Sequence, residues 1–314
     1  MGLKTSRAIT NTAIHALLIA ISIIWLIPFV CILLQSFRVE STWQVGYVIP
    51  QQWGFDNYVN LFKTDFPRWY GNTLLIALVS CAITTLFVLA VSYAFSRIRF
   101  PARKPLMNIM LILGMFPGFM SMSAVYFLLK ILLPSNYQSH ASLIIVYSAG
   151  AALSYYIAKG FFDTVPKSLD EAARMDGATR AQVFRRIILP LSKPIIIYTI
   201  LMGFMAPWGD FMMASYIIHE NSQGMNVAVG MYEWLSKTNL NTHYTMFCAG
   251  GVVVAVPGTA LFLQSRIELR VMINNSKLGD VAYAIVHQSK HGDKDPDMEY
   301  RVEKADFQAY NKNI

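Results

Sequence analysis

Long apolar runs recur along this chain at residues 13–34, 72–95, 106–132, 141–159, 194–217 and 244–264. A bilayer core of about 30 Å is crossed by about 20 helical residues, and lipid offers a bare backbone no hydrogen-bond partner. Runs of this length therefore predict helices. The expected fold is an all-α integral membrane protein with six transmembrane helices. Composition agrees, with 55% hydrophobic residues, 14% charged residues and a mean hydropathy of +0.42. Soluble domains carry about a quarter charged residues.

The first run follows Lys4 and Arg7 and could imitate a secretory leader. Its apolar stretch is too long and lacks a small-x-small cleavage site, so it reads as an uncleaved first span. With the N-terminus set in the cytoplasm, sixteen Lys and Arg residues flank the spans on the inside. The outside holds four: Arg38, Lys63, Arg68 and Lys237. The positive-inside rule thus expects a multi-pass protein of the prokaryotic plasma membrane with both termini cytoplasmic. The net charge of +8 is largely this bias, and no isolated basic domain points to nucleic acid.

Motifs for chemistry are missing from the sequence. There is no G-x-x-x-x-G-K-[ST] loop, no H-E-x-x-H and no G-x-S-x-G elbow. His287 and His291 stand four apart without a third ligand nearby, so no metal is expected. Cys31, Cys81 and Cys248 sit singly in apolar runs and read as packing residues.

One polar segment, EAARMDGATRAQVFRRIILP at residues 171–190, interrupts the apolar pattern. Ser168 and Glu171 stand in the S-x-x-E relation of a capping box, which predicts a helix starting near Leu169. Gly177 is placed to close that helix in a left-handed conformation. Thr179 and Gln182 supply a second capping box. Pro190 is expected to stop the second helix, and Ser192 with Pro194 to start the next. The reading is helix, glycine turn, helix, then a membrane span.

Glu171-Ala172-Ala173, Gly177, Ile187, Leu189 and Pro190 fit the EAA-x3-G-x9-I-x-LP spacing without a gap. In this the chain resembles permease subunits of binding-protein-dependent ABC importers, in particular the MalG-like carbohydrate branch. The resemblance covers about residues 69–264. It implies a type I importer permease of MetI-like fold, with residues 168–190 as a cytoplasmic coupling loop seated in an ATPase. The coupling residues it implies are Glu171, Ala172, Ala173, Met175, Asp176, Gly177, Ala178, Phe184, Ile187, Leu189 and Pro190. Helix capping by Glu171 and chain turning by Gly177 are compatible with that role. The partners implied are a second, related permease, a homodimeric cytosolic ABC ATPase and an extracytoplasmic sugar-binding protein. ATP and Mg would be held by the ATPase, and the substrate would be a maltodextrin-like oligosaccharide.

Polar and aromatic residues within the spans sketch a pathway. Asp210 is an ionisable residue at membrane depth, next to Trp208, Pro207 and Gly209, which should loosen the helix. A similar break is expected at residues 114–119, followed by Ser121, Ser123 and Tyr126. Trp208, Asp210, Phe119, Ser121 and Tyr126 are the candidate sugar contacts, because aromatic faces stack on sugar C–H surfaces and polar groups bind hydroxyls. Plain helix packing, with Gly114 and Gly118 as a small-xxx-small contact, is the competing reading. The resemblance also implies that the 218–243 loop meets the binding protein, with Asn226, Tyr232 and Trp234 as candidates. Interfacial anchoring by Tyr232 and Trp234 is the alternative.

The resulting division is a cytoplasmic start (1–12), a first helix (13–34), an outside loop (35–71), a permease core (72–264) and a tail (265–314). The tail departs from the resemblance. Its end is expected to be disordered, and residues 280–286 to form a short helix or strand. Two other functions stay open: a membrane-embedded enzyme using Asp210, which would need a second polar group at that depth, and a scaffold that binds an ATPase without moving solute.

Overall fold

The computed structural model describes residues 3–40, 47–218, 221–235 and 240–291. The chain divides into two units, Met1–Ala260 and Leu261–Ile314. All described secondary structure is helical apart from one isolated antiparallel bridge between Arg38 and Trp53. The expected disorder at the end of the tail falls on residues outside those described.

Helix α1 runs from Leu3 to Ser36 and is succeeded by the short α2, Asp56–Leu61. None of the residues in the most apolar window of α1 is buried. Its surface is apolar along that window. Among the described residues after it, Arg38 is 1% exposed and its Nη2 donates to the Tyr47 and Val48 carbonyls. Asn57 donates to the carbonyls of Ser36 and Arg38 and accepts from Thr245.

Helix α3, Phe66–Arg97, is the axis of the first unit. It starts earlier than residue 72 because Pro67 sits in its first turn, where a missing N–H costs nothing. Its buried stripe includes Phe66, Trp69, Thr73, Ala77, Ser80, Thr84, Val88, Ser92 and Ser96, at helical spacing. Small and hydroxylic side chains on that stripe let other helices come close and satisfy their carbonyls. Thr84 donates to Tyr147 O and Ser92 to Tyr155 O. Cys81 lies against Gly203 and its Sγ donates to Ile200 O, so this cysteine is a packing residue.

The next spans are broken, one of them where a break was expected and one where it was not. Helix α4, Arg103–Met115, and the segment Gly118–Leu132 are bent by 98°. Pro117 lacks an N–H and keeps Phe116 extended (ψ 132), which ends α4 and confirms the break expected near Gly114. A 3₁₀ turn, Gly118–Ser121, leads into α5, Met122–Leu132. Helices α6, His140–Ala149, and α7, Ala152–Thr164, meet at 42° about Gly150, a bend not foreseen within 141–159.

The polar segment forms α8, Lys167–Met175, and α9, Arg180–Val183. A π-helical turn at Phe184–Ile188 and a last turn, α10 at Leu189–Leu191, follow. Helix α11, Lys193–Gly209, leaves at 80° to the Arg180–Leu191 segment. It runs through Pro207 and ends at Gly209, so the span expected over 194–217 is two pieces, with α12 at Met212–Ile218. Helix α13, Val227–Glu233, precedes α14, Leu240–His291. Residues 280–286 therefore lie within a helix; the side chains of His287 and His291 are outside those described.

Among the described residues three helices are long and apolar enough to cross a membrane, in Asn11–Ser36, Phe66–Arg97 and His243–Val271. Three bent pairs pass the same criterion together, giving up to six if each is one span. Helices α6, α7, α11 and α13 pack around α3.

Candidate functional site: the elbow and the broken helix

The elbow is built by three local devices. Helix α8 begins directly after Pro166, which has φ −57° and ψ 130° and makes no side-chain cap. Ser168 thus lies inside the first turn, and the capping box expected from Ser168 and Glu171 does not form. The reason is Pro166: its fixed φ and the extended Val165 before it set the helix start two residues earlier than Leu169.

The second device is the end of α8. Gly177 has φ +84°, its N–H donates to Arg174 O, and the Ala178 N–H reaches back to Ala173 O at 2.9 Å. These two bonds make a complete Schellman motif, with apolar Ala173 and Ala178 at the two positions it brings together. The third device is the expected capping box, with Thr179 Oγ1 accepting from Gln182 N at 3.3 Å and Gln182 Oε1 from Thr179 N at 2.7 Å. Pro190 does not end the helix by itself. The π turn before it widens the spiral where its ring would meet a carbonyl, and the helix stops at Leu191.

These devices sort the eleven expected coupling residues into two faces. Ala173, Ala178, Phe184 and Ile187 pack inward on a core of Val88, Phe162, Val183 and Ile188. Glu171, Ala172, Met175, Asp176, Gly177 and Pro190 are exposed, Met175 by 88%, and Leu189 is half-buried.

Residues that spacing did not reveal fasten this elbow to α3. Arg97 Nε lies 3.0 Å from Asp170 Oδ2, both largely buried, and Arg97 Nη2 donates to Val165 O at 2.8 Å. Ser96 donates to Asp163, which also pairs with Lys159. The Tyr93 ring packs on Phe184 at 4.6 Å. In the sequence Arg97 was only one of the basic flanks, since a contact across more than seventy residues leaves no local signal.

The second place is the break between α11 and α12. Asp210 is extended there (ψ 99°); its Oδ1 accepts from Met213 N, capping α12, and its Oδ2 accepts from Tyr147 Oη at 2.9 Å. Asn226 is fully buried, donates to the carbonyls of Pro207 and Asp210, and caps α13 through Val229 N. Trp208, 6% exposed, meets Tyr70 edge-on at 5.1 Å and Phe204 at 5.9 Å. Tyr147 and Asn226 are thus the partners of Asp210, while Trp208 turns to other rings.

The remaining candidates have other neighbours. Phe119 is exposed, and Ser121 Oγ donates to Gly118 O within its own turn. Tyr126 packs against Tyr137 and Tyr216. Trp234 is buried against Trp69 and Phe66, whereas Tyr232 is 55% exposed beside Phe211. Among the described residues no group of three or more His, Cys, Asp or Glu side chains is placed to hold a metal ion.

Residues 87–271 match the family described as "Binding-protein-dependent transport system inner membrane component". The chain is 31% identical over 262 residues to the maltodextrin transport system permease protein MalD of Streptococcus pneumoniae, covering 83% of this chain and 92% of the relative. It is 33% identical over 266 residues to the galactooligosaccharides transport system permease protein GanQ of Bacillus subtilis, covering 83% and 93%. Among solved structures, a chain of a bacterial ABC transporter involved in the import of the acidic polysaccharide alginate superposes with a TM-score of 0.66. That match covers 87% of this chain and 96% of the other, at 19% identity, and establishes the fold. With the matched segment running from the middle of α3 into α14, and so containing the whole elbow, the chain belongs to the family of inner membrane components of binding-protein-dependent transport systems.

Proposed function

We propose that this chain is one permease subunit of an ATP-driven importer of oligosaccharides, and that its elbow is the joint through which a separate ATPase moves it. The observation that carries this reading is the division of the elbow into two faces. One face is locked into the core by Ala173, Ala178, Phe184 and Ile187, and the other presents Glu171 and Met175 to solvent. A stiff element with an uncovered face at the end of a span is suited to receive a push from a docked protein. ATP and Mg belong to that ATPase, a homodimer in the cytosol, and this chain supplies no catalysis of its own.

The chain crosses the membrane six times in this reading, each bent pair counting as one span, with both termini and the elbow cytoplasmic. The core is 72–264 and the coupling loop 168–190, with a second related permease beside it and a sugar-binding protein outside. Substrate choice follows the names of relatives, which specify maltodextrin and galactooligosaccharides. Tyr232, exposed, is the candidate that an outside protein can touch. Asp210 and Trp208 shape the broken helix at the pathway, with Tyr147 as the polar neighbour.

The test is uptake of labelled oligosaccharides by cells carrying the assembled system. Glu171→Lys and Gly177→Pro are expected to abolish uptake while the chain still inserts and is recovered in membranes. Uptake that survives both changes would point instead to a scaffold that holds an ATPase without moving solute.

A further inference from the structure

The link 98–102 joins the end of α3 to the start of α4, at one face of the two apolar elements. Beside it opens a cleft of about 340 Å³. Its walls carry six cations, Arg97, Arg99, Arg103, Lys167, Arg174 and Arg180, against the carboxylates of Asp170 and Glu171. Asp170 pairs with Arg97 through Oδ2 while its buried Oδ1 has no hydrogen-bond partner, so five further cations share the cleft with Glu171 and that one oxygen. Like charges gathered around one cavity repel, and a bound anion relieves that repulsion.

Arg97 adds a second observation. Its side chain is 6% exposed, and its Nη1 finds no hydrogen-bond acceptor. A buried guanidinium donor is costly when left unpaired. A second hollow, lined by Arg99, Phe100, Pro101, Arg103 and Lys104, shares two of the same arginines and extends the basic surface along the link. Arginine forks match the oxygens of phosphate in pairs, and basic pockets among membrane helices suit anionic headgroups.

We propose that this cleft binds a phosphate-bearing anion, namely the headgroup phosphate of an anionic phospholipid, with inorganic phosphate as the other source of the same chemistry. The cations come from the α3–α4 link, from α8 and from α9, so an anion held among them ties the elbow to the membrane face. Occupancy stiffens the joint without touching the exposed tip at Met175. This inference does not depend on what the transporter carries.

The test uses the purified, assembled complex in detergent, following the thermal unfolding midpoint of this chain. Three additives are compared: dioctanoyl phosphatidylglycerol, dioctanoyl phosphatidylcholine and inorganic phosphate. Phosphatidylglycerol is expected to raise the midpoint saturably and phosphatidylcholine to leave it unchanged. In the R99Q/R103Q double variant the half-saturating concentration should rise by about tenfold or more. A rise produced equally by inorganic phosphate keeps the site and assigns it to the free anion. Equal responses to the two lipids, or an undiminished response in the variant, overturns the proposal. Should R99Q/R103Q fail to assemble, K167Q/R180Q, at two exposed positions, takes its place. Native mass spectrometry of the unaltered complex gives a further check, since failure to retain added phosphatidylglycerol over phosphatidylcholine also overturns it.

Discussion

Two glycines of this chain are required for different reasons. Gly177 has φ +84° and open space where a side chain would go, so its role is conformational. Gly177→Ala should cost about 1–2 kcal/mol from left-handed strain, and Gly177→Asn clearly less. Gly230 has no unusual φ, but a Cβ there would stand 2.2 Å from the Trp69 ring. Gly230→Ala must displace a buried indole and should cost about 1–3 kcal/mol. Thermal unfolding midpoints in detergent check both, and a Gly230→Ala protein as stable as the parent would refute the close packing. Asp210 poses a sharper question, because its carboxylate serves both as a cap and as the acceptor of Tyr147. Asp210→Asn keeps an oxygen for the cap, so its stability should exceed that of Asp210→Ala by about 1 kcal/mol. Equal loss of uptake in both, at unequal stability, would assign the carboxylate to the transported sugar.

Elements end where backbone chemistry tells them to, and here two of the three devices of the elbow were written locally. Gly177 and the Thr179/Gln182 box act within a few residues of themselves, so their pattern carried the answer. Ser168 and Glu171 carried the same pattern and were overruled by Pro166, two positions upstream of where the motif begins. Thr179→Ala should therefore cost about 1 kcal/mol, while Ser168→Ala should stay within about 0.5 kcal/mol of the parent. The fastening of the elbow to α3 predicts a larger effect. Arg97→Met leaves Asp170 largely buried without its cation and should cost about 3 kcal/mol, with the double change R97M/D170L recovering part of the loss. Unfolding midpoints and the yield of assembled complex measure this series.

Across the whole molecule, the arrangement of spans fixes which surfaces share a side of the membrane. In the six-span reading the elbow tip and the α13 region lie on opposite faces. A membrane-impermeant maleimide applied to intact cells should label Tyr232→Cys and leave Met175→Cys unreacted, with the pattern reversed in inverted vesicles. Labelling of both from one side would remove the six-span topology and the docking of a cytosolic ATPase with it. No residue in the most apolar window of helix α1 is buried within the described chain, which is the surface a lipid-facing helix presents.

The amino-acid sequence by itself determined that the chain is helical and membrane-bound, because runs of about 20 apolar residues leave the backbone no other way to satisfy its polar groups. It also determined the glycine turn and the second cap, whose hydrogen bonds close within a few residues. Only the tertiary structure decided which of the coupling residues face inward, and that Arg97 meets Asp170 or Asp210 meets Tyr147. Those outcomes rest on contacts between residues more than sixty positions apart, and on the competition of each local motif with its neighbours. A pattern read along the chain contains no term for either.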